Sequence, residues 1–245
     1  MKFVYAVQNE AELEKYSRFS ESVRERLYSY ICFLAREYQV RELPRTIVLT
    51  NRETATELIS DIPVPAYTNE YRVVMTPDRE VWSEIYRHQL DGLDHVEDLL
   101  TYYENELTES HILQILGHEL AHHSELFPDD FDEDDGTGIW FEEGMVEYIS
   151  RRYFLSPDQY QRELEINQKI VALLTPRYGN HSLEEFGKET YSGDYASIFF
   201  EYWRSFLAVH QIVNHFGGDV LAVFRSYRAW HESNSGKSLS EWCSV

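Results

Sequence analysis

Residues 117–123 read Gly-His-Glu-Leu-Ala-His-His, and this stretch constrains the chain more than any other. Four residues advance an α-helix by about 6 Å and turn it by about 400°, so His118 and His122 project from one face. Two neutral imidazoles so placed can share one zinc ion. Glu119 lies about 100° round the helix from His118, within reach of a water on that metal without ligating it. Ile112, Leu113, Leu116 and Leu120 lie on the other side, which is apolar and suited to a core. Thr108 is the expected N-cap and Glu109 suits the first turn, with the helix running to about Leu126.

A zinc site with two histidines needs a third protein ligand and keeps a fourth position open for water. After an acidic loop, Pro128 to Asp135, and the glycines 136 and 138, the chain reads Trp140-Phe141-Glu142-Glu143-Gly144-Met145-Val146-Glu147-Tyr148. Glu143, on the next helix, can supply that ligand. Glu147 lies one turn further along the same face. It can accept a hydrogen bond from a ligand histidine and fix its tautomer, although a plain surface position is an equal reading. His111 sits on the metal face seven residues before His118 and is expected to line a wall. His123 is expected to face solvent or to pack beside the metal helix.

The rest of the chain supplies the frame. Val23, Leu27, Ile31 and Leu34 recur at helical spacing within residues 10–39, and Pro44 stops that pattern. Thr46 to Thr50 (TIVLT) and Tyr71 to Thr76 (YRVVMT) read as strands, separated by a Pro-rich turn at Asp61 to Pro65 and a loop at Ala66 to Glu70. Residues 79–106 read as helical with a break at Gly92. Helices are expected over Trp140 to Arg152 and over Asp194 to Phe216, the latter stopped by Gly217 and Gly218. The order is a mixed α/β first part and a helical second part.

Composition removes several classes. With 43 acidic against 22 basic residues the net charge is −21, which repels nucleic acid and anionic membranes. Neither a nucleic-acid nor a membrane partner is expected. Cys32 and Cys243 form no metal or redox motif. The apolar stretch Phe3 to Val7 is too short for a signal peptide, and the segment Ser197 to Val213 carries Glu201, Arg204 and His210. Cytoplasm is the expected compartment.

H-E-L-A-H followed by W-F-x-E-G-x-x-E-Y resembles the gluzincin metallopeptidases, the group containing thermolysin and the zinc aminopeptidases. The resemblance covers roughly residues 108–218. It implies an α+β, zincin-like fold, with a small N-terminal mixed sheet and a mostly helical C-terminal half flanking an active-site cleft. A single catalytic domain over 1–245 is expected, with subdomains 1–107 and 108–245. It further implies zinc as cofactor, His118, His122 and Glu143 as ligands, with Glu143 and not Glu142 as the third, and Glu119 as general base. The implied reaction is hydrolysis of a peptide or protein substrate. Zinc aminopeptidases also carry a Y-x-K-G sequence opening a helix that ends in Gly-Gly. Tyr202-Trp203-Arg204-Ser205 leads to Gly217-Gly218 with the same spacing, which implies Tyr202 as oxyanion donor, with Tyr191 and Tyr195 as rivals. Arg204-Ser205 stands where that family has Lys-Gly, and its G-x-M-x-N cleft sequence does not occur. The alternative is a non-proteolytic or regulatory zinc-binding protein of the same fold.

Overall fold

The structure is a computed structural model, and it describes residues 1–60, 63–128, 138–187, 190, 193–233 and 236–244. Most of the acidic loop, residues 61 and 62 of the Pro-rich turn, Gly136 and the rival Tyr191 therefore lie outside the described residues. The fold is α+β, with a small mixed four-stranded sheet and a majority of helix. The chain forms two compact units, residues 1–124 with 150–157, and residues 125–149 with 158–245.

The first unit begins with strand β1 (Lys2–Ala6), helix α1 (Glu10–Glu37) and strand β2 (Thr46–Thr50). Asn9 caps α1 by accepting from the Glu12 N–H. A parallel pair cannot be closed by a tight turn, and α1 is the crossover that lets β1 lie parallel to β2. A π-helical turn, Thr54–Ile59, precedes β3 (Ala66–Thr68) and β4 (Arg72–Met75). The sheet order is β1-β2-β4-β3, with β4 parallel to β2 and β3 antiparallel to β4. Helices α2 (Arg79–His88) and α3 (Glu97–Asn105) follow, with Gly92 between them at φ +77°. Then comes α4 (Glu109–Ala121), which packs against α1, β3 and β4.

Two expectations are corrected in this unit. Ala66 to Glu70 is not a plain loop, because its first three residues pair with β4. Helix α4 stops at Ala121 and does not reach Leu126. There the backbone tightens, with His123 N–H bonding Leu120 O and Ser124 N–H bonding Ala121 O, while the Ser124 hydroxyl donates to Tyr38 O.

Gly117 explains how α4 lies so close to its neighbours. A Cβ there would come within 2.5 Å of the Phe154 ring and 3.1 Å of the Tyr30 ring. Tyr30 is fully buried and its hydroxyl donates to Gly117 O at 3.0 Å. Val23, Leu27 and Leu34 of α1 are buried on the same stripe.

The second unit carries most of α5 (Ile139–Phe154), then α6 (Pro157–Tyr178), a 3-10 turn at Leu183–Glu185, α7 (Tyr195–His215), α8 (Val220–His231) and α9 (Leu239–Cys243). Asp194 caps α7 by accepting from the Ser197 N–H. Gly217 and Gly218 end it at φ +65° and +88°, a backbone that side chains resist. Phe141 stacks on Tyr227 with ring centroids 4.2 Å apart, which anchors the start of α5 on α8. Among the described residues, no helix is long and apolar enough to cross a membrane.

Candidate metal centre

The start of α4 is fixed by a reciprocal cap. Thr108 holds the first turn, and its own N–H donates to His111 Nδ1 at 3.0 Å. A glutamate or glutamine usually fills that third position; here an imidazole does. Because Nδ1 accepts, the ring proton sits on Nε2, 3.3 Å from the Tyr102 hydroxyl. His111 is thus a helix-capping residue.

At the other end, His118 is buried in the last turn of α4, and His122 is its C-cap residue, still in right-handed helical geometry. Their rings lie 4.9 Å apart at 72°, and the two Nε2 atoms are 3.2 Å apart. Two ring nitrogens at this separation share either one proton or one cation. Two nitrogens each about 2.05 Å from a tetrahedral zinc sit about 3.3 Å apart, so the pair has the spacing that zinc requires. Glu119 is 6% exposed on the same turn. His123 turns away: its Nε2 is 2.8 Å from Thr68 Oγ1 on β3. Burial, and then the neighbouring His122, pull the His123 pKa down to about 4, so its ring is neutral near pH 7.

In the second unit, Glu143 is buried on α5 and accepts a hydrogen bond from the Tyr202 hydroxyl at Oε1, at 3.2 Å. The glycine that follows it has a specific packing role. A Cβ on Gly144 would meet Ser205 O of α7 at 2.4 Å and Ser205 C at 2.7 Å. Backbone cannot swing aside as a side chain can. The higher helix propensity of alanine gains only about 1 kcal/mol, whereas overpacking costs about 1–3 kcal/mol. Gly144→Ala is therefore expected to lower the melting temperature by about 5 °C, measured by circular dichroism; an unchanged or higher value would contradict this packing.

His118 and His122 on α4 each offer one ring nitrogen as a ligand atom, and Glu143 on α5 offers a carboxylate oxygen. That donor set, two imidazoles and one carboxylate, suits zinc and leaves a coordination position for water. No family model, curated protein or solved structure matches this chain.

Glu147 is half-buried on α5, one turn beyond Glu143. Tyr195 begins α7 and stacks on Phe199, with centroids 6.2 Å apart. Tyr202 is half-buried two turns after Tyr195, with Phe186 edge-on to its ring at 5.4 Å. Phe186, Ser205 and Thr68 carry no sequence pattern that marks them as neighbours of the expected site residues. Only the glycines at 117 and 144 hinted at close approach, each being adjacent to an expected ligand.

Proposed function

We propose that this chain is a zinc-dependent metallopeptidase of zincin-like fold, hydrolysing a peptide bond in a peptide or protein substrate. The observation that carries the reading is the pair of imidazole nitrogens of His118 and His122 at a zinc-like 3.2 Å, with the buried carboxylate of Glu143 as the proposed third donor. The H-E-x-x-H spacing and the glutamate before glycine on the following helix support it from the sequence.

His118 Nε2, His122 Nε2 and a Glu143 carboxylate oxygen would hold the metal. When bound, zinc supplies polarisation of the scissile carbonyl and a water of lowered pKa. Glu119 accepts the proton of the attacking water on its carboxylate and returns it to the leaving amine. Burial of Glu119 keeps bulk water from competing for that proton. Strand β3 is the antiparallel edge of the sheet and packs on α4, so an extended peptide laid along it lies beside the metal helix.

The test is a peptide-library digest on protein whose zinc content is measured by elemental analysis. One zinc per chain, cleavage that stops with a chelator, and recovery on adding zinc are expected. Zinc without cleavage of any peptide would favour the non-proteolytic zinc protein, and no zinc uptake would remove both readings.

A further inference from the structure

We propose that Tyr202 is a positioning residue for the metal, its hydroxyl holding the Glu143 carboxylate in the orientation in which it ligates. This rests on the zinc reading above. The glutamate side chain turns about three bonds and can offer a cation one oxygen or both. A hydrogen bond to Oε1 leaves the other oxygen to face the metal and removes that ambiguity. The Tyr202 hydroxyl makes this bond at 3.2 Å. A phenol has a single proton, and here it is directed at Glu143.

The surroundings of Tyr202 suit a fixed strut. Its ring is flanked by Phe186 at 5.4 Å and Phe199 at 6.4 Å. Phe186 is 1% exposed and closes the 3-10 turn Leu183–Glu185, whose start is locked by a capping box at Ser182. The preceding residue, His181, is tied to α7 as well. Its Nε2 is 2.7 Å from Glu201 Oε1, and Arg204 binds both Glu201 oxygens and donates to His181 O. Glu201 immediately precedes Tyr202 and is 4% exposed, so this network braces the turn of α7 that presents the phenol. From the other side, Gly144 brings α5 against Ser205 O, one turn along the same helix. The hydrogen bond thus joins two backbones that are already held in register.

Zinc dissociation constants, measured by chelator competition on the full chain, test the proposal. Groups that orient a metal ligand are commonly worth about 10–100-fold in affinity. Tyr202→Phe keeps the ring and its packing, and is expected to bind zinc about 10–100-fold more weakly, with the melting temperature of the metal-free protein lowered by only a few degrees. Ser205→Ala, which removes a hydroxyl from the same helix, is expected to keep wild-type affinity. A Tyr202→Phe constant within about twofold of wild type would overturn the positioning role, and so would an equal loss in Ser205→Ala, since that reports packing alone. Failure of the zinc reading looks different: the wild type takes up no zinc, or Glu143→Gln binds it as tightly as wild type.

Discussion

Glu119→Gln is expected to retain one zinc per chain while peptide hydrolysis falls by about 10²–10⁴-fold. The substitution is nearly isosteric and leaves His118 and His122 in place. The side chain is 6% exposed on the last turn of α4, so a change of volume there would be felt and a change of a single atom is the cleaner probe. Glutamine still accepts a hydrogen bond from water through its amide oxygen, but it cannot take the proton. Loss of turnover with zinc affinity within a few-fold of wild type separates proton transfer from metal binding. Turnover equal to wild type would sink the assignment of Glu119 as the base, whatever the metal content.

Helix α4 was legible because its signals agree. Ile112, Leu113, Leu116 and Leu120 are all buried, and the histidines fall four apart on one face. Helix α7 was equally clear, since Asp194 caps it and Gly217-Gly218 end it where the sequence places them. Strand β1 was not read as one because five residues carry too little periodicity, and its partner lies forty-odd residues away across α1. Strand β3 is three residues long, with a register set by β4 and not by any pattern of its own. Helix α6 was not singled out because its buried stripe includes Glu163 and Asn167 among Tyr160, Leu164, Ile166, Ile170 and Leu174, and Pro176 falls within it. At the candidate site, the shared helix face of His118 and His122 was legible from their spacing. The partnership of Tyr202 with Glu143 was not, because it joins residues 59 positions apart and depends on how closely α5 approaches α7 at Gly144.

Zinc should raise the melting temperature of the wild-type protein by about 5–11 °C when free zinc is about a hundredfold above its dissociation constant. Binding to the folded state alone contributes about 2.7 kcal/mol under that condition. A chain of this length shifts by about 2–4 °C for each kcal/mol. The unfolded chain is a poor competitor: His118 and His122 share a face only on a helix, and Glu143 lies twenty-one residues further on. His118→Ala removes one of the two nitrogens that stand 3.2 Å apart and should abolish the shift. His123→Ala should preserve it, because that ring is turned to Thr68 on β3. The contrast between adjacent histidines matters in a chain with ten of them, since zinc held loosely at the surface would move every variant alike. Equal shifts in wild type and His118→Ala, or no shift in either, would remove the site from consideration as a metal centre.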